Sequence, residues 1–222
     1  MTLTSELRRL LRLPEPYTRE DFEARERLRP AYEVLADGLL ATLDFDSVID
    51  VGCANGFLLS GFRRAGRRVR GLDLSVEVRQ VLPPDLQGSV EVADFARASG
   101  RWDLVCCVEV AEHIPRRRSD ELVETLVRLT DRWIYFTAAP PGQPGHGHIN
   151  CRPREEWLTL FTDRGWAVAE GPTSALFERL ASLPSAPWLR DNGVVLEPAF
   201  RSDERTVELV PEPEPELVGS VR

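Results

Sequence analysis

The chain has no lysine, and all 28 of its basic residues are arginine. That bias is read as genome composition rather than mechanism. No apolar run approaches the roughly 18 residues that a membrane span needs, so no membrane partner is expected. The N-terminal stretch alternates arginine and leucine at helical spacing and lacks the uninterrupted apolar core of a secretory signal. A cytoplasmic location is expected. Cysteine is scarce, with only Cys53, Cys106, Cys107 and Cys151. None shows CxxC spacing, which argues against a disulfide framework or a cysteine zinc site and leaves reduced core thiols. A basic excess is also missing. The net charge of −8 argues against a strongly nucleic-acid-binding surface, whose affinity rests on basic groups meeting phosphates. The arginine patches at 63–68 and 116–118 read as solvated helix ends. No internal repeat is visible.

What is present is a soluble globular composition, 42% hydrophobic and 29% charged over 222 residues. That length suits one well-filled domain with an appendage. The expected organisation is a helical cap over 1–44, an α/β domain over 45–200 and an acidic, proline-rich, disordered tail over 201–222. A short helix over 4–13 precedes a helical segment over 18–42, with Thr18 as N-cap and Pro30 kinking or splitting it. Strands are expected at 48–51, 69–72, 90–93, 103–110, 133–138, 166–170 and 193–197, the last antiparallel at the edge. A helix with the apolar stripe Phe57, Leu58 and Phe62 follows the first strand, and further helices intervene at 75–82, 119–130 (capped by Ser119), 153–164 and 175–183. This alternation predicts a doubly wound, mostly parallel seven-stranded sheet. Ligands in such sheets bind beyond the carboxyl ends of the strands. A monomer or homodimer is expected.

The organising stretch is 47–75, SVIDVGCANGFLLSGFRRAGRRVRGLDLS. It reads as strand, glycine turn, helix and second strand ending at Asp73. The glycines let the backbone turn sharply and approach a ligand, and the acid can accept from ribose hydroxyls. Asp73 lies 17 residues after Gly56, near the roughly 20 of a nucleoside-binding unit. Asp50, Gly52, Ala54, Gly56 and the run Gly71-Leu72-Asp73-Leu74-Ser75 resemble motif I and the following acidic strand of class I S-adenosylmethionine-dependent methyltransferases. The family usually has a third glycine where Ala54 stands. The resemblance implies S-adenosylmethionine as cofactor, held by Asp50, Gly52, Ala54, Gly56, Asp73, Leu74, Asp94, Phe95 and Glu109. Asp94 and Phe95 would meet the adenine; a helix N-cap is the competing role for Asp94. Helices before the first strand commonly cover the cofactor in this family, which would place Tyr17 and Tyr32 at the substrate pocket.

Two further segments carry chemistry, VEVAEHIP at 108–115 and PGHGHIN at 144–150. All three histidines of the chain lie in them. Methyl transfer to a hydroxyl needs a route for its proton, and a histidine serves as general base. A divalent metal can instead lower the hydroxyl's pKa. Glu109, Glu112 and His113 stand at i, i+3 and i+4, and would share one face if the strand end turns into helix. The pattern, with Arg154, Trp157 and Phe161 downstream, resembles ubiquinone-biosynthesis O-methyltransferases and, more weakly, small-RNA 3′-terminal 2′-O-methyltransferases. The latter resemblance implies a metal (Mg, Mn or Zn) on Glu109, Glu112, His113 and either His146 or His148. Catalytic roles are expected for His113 and His148, and substrate contacts for His146, Asn150 and Tyr32. The leading expectation is methyl transfer to a hydroxyl of a small molecule: a sugar, a catechol-like ring or a natural-product intermediate. RNA-terminal methylation, a non-catalytic cofactor-binding partner subunit and a nicotinamide-dependent oxidoreductase are the alternatives.

Overall fold

The computed structural model describes residues 17–200. The helix expected over 4–13 and the tail from 201 lie outside the described residues. Seven strands form one sheet: β1 (Ser47–Val51), β2 (Arg68–Asp73), β3 (Val90–Val92), β4 (Leu104–Val108), β5 (Trp133–Thr137), β6 (Trp166–Val168) and β7 (Val194–Pro198). Their order is β3-β2-β1-β4-β5-β7-β6. The first five run parallel, and β7 is antiparallel to both neighbours. Every residue of β1 and β4 is buried, as a central parallel strand covered on both faces requires.

On one face α2 (Arg29–Thr42) and α3 (Phe57–Arg64) pack Leu35, Leu39, Leu58 and Phe62 against the sheet. On the other, α5 (Ser119–Arg128) and α6 (Arg154–Thr162) supply Leu122, Leu126, Trp157 and Phe161. The segment preceding β1 is split as Pro30 predicts. α1 (Arg19–Ala24) and α2 are joined by a 3₁₀ turn, Arg25–Leu28, with Pro30 in the first turn of α2. Thr18 caps α1 through a capping box: its hydroxyl accepts from Asp21 N, and Asp21 Oδ2 accepts from Thr18 N at 2.8 Å. No helix among the described residues is long and apolar enough to cross a membrane.

Several expected boundaries move. β4 stops at Val108 rather than Val110, because Glu109 takes a left-handed conformation, φ +53°. β7 does not lie at the edge; it inserts between β5 and β6, leaving β6 outermost. The helix expected over 75–82 shrinks to α4 (Val78–Val81), since Asp73 and the Ser75 hydroxyl bind the N–H groups of Ser75 and Glu77 in turn chemistry. α7 (Glu170–Arg179) begins at a residue assigned to the preceding strand. Ser119 is not a cap but the buried first residue of α5, its hydroxyl accepting from Asn150 Nδ2 at 3.0 Å. A short α8 (Trp188–Asp191) leads into β7.

Thr18→Ala removes an N-cap worth about 1 kcal/mol. The amides of α1 are expected to exchange with solvent roughly 5-fold faster, while those of β1 and β4 are unchanged.

Candidate active site

The glycine turn is shaped by close packing. Gly52 N and Cys53 N both donate to Leu72 O, at 2.7 and 3.0 Å. Gly52 has φ +84°, and a Cβ there would lie 2.4 Å from Val110 Cγ2; only glycine fits. Ala54, also left-handed at φ +44°, donates its N–H to Asp73 Oδ2 at 2.9 Å, while Ser75 N donates to Oδ1 at 2.8 Å. Asp73 therefore braces the turn from the end of β2. Burial raises its pKa against the pull of these donors.

Beyond the strand ends opens a cavity of about 560 Å³, within the range that holds a drug-sized ligand. Gly52, Ala54, Asp73 and Leu74 form one part of its lining, and Asp94 and Phe95 another. Glu109, Val110 and His113 contribute from the end of β4. Tyr17, Phe22 and Arg25 cover it from the N-terminal segment, which Asn55 anchors by donating from Nδ2 to Phe22 O at 3.0 Å.

Five expected cofactor or substrate residues lie off this cavity's lining. Asp50 and Tyr32 sit behind the turn, lining a second cavity of about 10 Å³ with Arg25 and Asn55, room for about one water. Three buried atoms there, Asp50 Oδ1, Asn55 Oδ1 and Arg25 Nε, have no hydrogen-bond partner. Burial, aided by Asp73 and opposed by Arg25, raises Asp50 to about 7. Gly56 starts α3 instead, its φ of +71° pressed against Leu82 and Leu86. Asn150 is buried in a structural knot, bonding Ser119 Oγ, Ala111 O and Arg152 Nε. His146 is exposed, its ring 5.3 Å from that of Tyr17.

The structure brings Glu112, His113 and His148 together, with ligating atoms within 4.8 Å of one another. The loop after β5 reaches this point because Ile149 N and Asn150 N both donate to Glu112 O at 2.9 Å. His113 Nδ1 faces Gly147 O at 3.2 Å, and His148 Nδ1 faces Gln143 O at 3.1 Å. A carbonyl only accepts, so each Nδ1 carries the proton and each Nε2 keeps its lone pair. His148 Nε2 lies 3.9 Å from Glu112 Oε1, and Tyr17 Oη lies 3.4 Å from His113 Nε2. Burial lowers His113 to about 4. Glu112 is 0% exposed; burial and the neighbouring Glu109 carboxylate raise its pKa to about 8, against the pull of the Ala139 N–H.

Glu109 falls outside this cluster. A 3₁₀ turn, Ala111–His113, follows β4 in place of a helix through Glu109. The Glu109 carboxylate accepts from Gln143 Nε2 at 3.2 Å and Asn192 Nδ2 at 3.1 Å. The expectation of one shared face for all three residues is corrected accordingly. Arg25, Asn55, Arg118, Gln143 and Asn192 were not legible as site residues. An arginine in an arginine-rich chain, or an amide 83 residues from Glu109, carries no local signal.

Residues 22–170 match the model of a methyltransferase domain family. The chain belongs to the class I S-adenosylmethionine-dependent methyltransferases. The chain is 31% identical over 107 residues to a ubiquinone biosynthesis O-methyltransferase of Paraburkholderia xenovorans, covering 44% of the chain and 46% of the relative. It is 28% identical over 127 residues to a magnesium-protoporphyrin O-methyltransferase of Synechocystis, covering 51% and 55%. The chain thus spans about half the length of the curated relatives it matches. Its fold resembles the crystal structure of the Synechocystis magnesium protoporphyrin IX methyltransferase with bound S-adenosylmethionine. That superposition has a TM-score of 0.55 at 21% identity and covers 75% of this chain and 83% of that one.

An aspartate whose folded pKa exceeds its unfolded value of 3.8 costs stability as pH rises between the two, here toward about 7. Asp50→Asn removes that loss. The decrease in urea midpoint from pH 5 to pH 8 is expected to be smaller in the variant; an unchanged decrease would contradict the assignment.

Proposed function

We propose that this methyltransferase binds S-adenosylmethionine in the 560 Å³ cavity and methylates a hydroxyl of a small molecule. The observation that carries the reading is His113, whose Nδ1–H is held by Gly147 so that a neutral Nε2 stands at the cavity lining. The cofactor fits the residues present. Asp73 offers an acceptor at the end of β2 beside a turn that only glycine can make at position 52. When bound, the cofactor supplies an electrophilic methyl on sulfur, and the C–S electron pair returns to sulfur on transfer. The acceptor hydroxyl takes the position of the Tyr17 hydroxyl and donates to His113 Nε2. As the new C–O bond forms, the hydroxyl proton passes to that nitrogen. The lowered pKa of His113 keeps its lone pair available at neutral pH. Phe22, Ile114 and Pro115 add apolar surface, suited to a ring-bearing acceptor. The relatives named as O-methyltransferases support oxygen as the atom methylated.

A second reading is favoured by Glu112. A buried carboxyl and two imidazoles whose ligating atoms all lie within 4.8 Å of one another are a donor set for a divalent metal. Glu112, His113 and His148 would hold it, and it would supply Lewis acidity toward the acceptor oxygen. Both readings place the chemistry at the same cluster, which RNA-terminal methylation would also use; the net charge of −8 disfavours the RNA acceptor.

His113→Ala is expected to lower kcat by about 10²- to 10⁴-fold, the usual worth of a general base. Affinity for S-adenosylhomocysteine by calorimetry should stay within about 3-fold of wild type on the same account. Turnover, followed by S-adenosylhomocysteine release with catechol-type acceptors, is expected to survive dialysis against EDTA. Loss on chelation, restored by Mg²⁺, Mn²⁺ or Zn²⁺ with stoichiometric metal by elemental analysis, would instead assign the cluster to a metal.

A further inference from the structure

One end of the cavity is built from a flat ionic layer. Arg118 Nη1 and Nη2 donate to the two oxygens of Asp94, both at 2.8 Å. Its Nε donates to Glu121 Oε2 at 2.7 Å, and Nη2 reaches Glu121 Oε1 at 3.1 Å. The guanidinium carbon lies 4.2 Å from the centre of the Phe95 ring. Asp94, Phe95 and Arg118 all line the cavity. A bidentate fork that is also stacked on an aromatic ring is a geometry lysine cannot reproduce.

The fork determines what Asp94 can still do. Oδ1 accepts from both Arg118 and Ala96 N, the latter at 3.0 Å. Oδ2 accepts from Arg118 alone, so acceptor capacity remains on that oxygen. Arg118 and the Ala96 N–H keep the carboxyl ionised, below its usual pKa. An ionised carboxylate is an acceptor only. The ligand atom that meets Oδ2 must be a donor, because an acceptor placed there faces the carboxylate's negative charge and gains no hydrogen bond. Without the fork, Asp94 is free to rotate toward solvent, and the demand for a donor relaxes.

We propose that Arg118 is a positioning residue that sets the base selectivity of the cofactor site, holding Asp94 as a rigid acceptor beside Phe95 so that a purine with an exocyclic amine is taken and a 6-oxo purine is refused. This rests on reading the cavity as an S-adenosyl site. The same contact gives Asp94 two roles at once, since it also caps the 3₁₀ turn Phe95–Arg97.

The test is calorimetric titration of the full chain with S-adenosylhomocysteine and with S-inosylhomocysteine, which differs in carrying a carbonyl in place of the amine. Wild type is expected to prefer the adenosyl compound by about 30-fold or more, the scale of one hydrogen bond to a charged group. In R118A the ratio should fall to about 3-fold or less, with R118K between, because its single ammonium cannot span both oxygens. R116A removes the same charge from an exposed neighbour paired only with Glu156 and should keep the wild-type ratio. A lost affinity for both compounds with the ratio intact would mean a merely structural role and would overturn the proposal. So would equal binding of the two by wild type. If wild type binds neither, the S-adenosyl reading itself fails and the proposal with it. R118K carries the comparison if R118A does not fold.

Discussion

Two N–H groups, those of Gly52 and Cys53, converge on the single carbonyl of Leu72. That convergence pulls the end of β1 against the end of β2 and turns the chain out of the sheet. The turn then runs through three left-handed residues, Gly52, Ala54 and Gly56, before α3 begins. Left-handed backbone is costly for a residue with a Cβ, and Ala54 accepts that cost where its N–H meets Asp73. The sheet, the turn and the acid form one rigid corner, and the cavity opens from it. Asn55 extends the corner upward by holding the backbone of the N-terminal cover.

The other half of the site obeys a different constraint. Glu112 holds the histidine loop through its main-chain carbonyl while its carboxyl lies fully buried beside Glu109. A carboxyl buried next to a second carboxylate is among the more unfavourable arrangements a core can contain. Local rules are broken in this way mainly at functional sites. The surrounding loop is correspondingly over-determined: both histidines are pinned at Nδ1, and Asn150 ties the loop to Ser119 and Ala111. Rigid imidazoles with fixed tautomers beside one buried carboxyl are what proton transfer and metal ligation both require.

Much of this was legible in the chain. The alternation of strands and helices, the glycine turn and the acid at Asp73 depend on local periodicity and short spacings, which sequence displays directly. Pro30 and Thr18 marked their breaks and caps because proline and capping chemistry act within three residues. The errors fall where distant contacts decide. Glu109 was placed in a strand and then on a helical face, yet its left-handed backbone places its carboxylate between Gln143 and Asn192. Ser119 carries the residue type of a cap but serves Asn150. Tyr32 and Asp50 sit on segments that do face the site, and only packing shows that they stand behind the turn. Arg118 was one of three consecutive arginines; its fork to Asp94 joins residues 24 apart.

The reversed direction of β7 has an effect on how the site is assembled. Because it runs against β5 and β6, its beginning rather than its end faces the ligand side. The α8 segment therefore delivers Asn192 to Glu109 and Gln143 from a part of the chain that contributes nothing to the glycine turn. The polar contacts of the Glu109 carboxylate are thereby encoded far in sequence from the glycine turn. Because Leu189 of α8 is fully buried in the core, the placement of Glu109 at the cavity is coupled to the packing around β7 rather than to the turn.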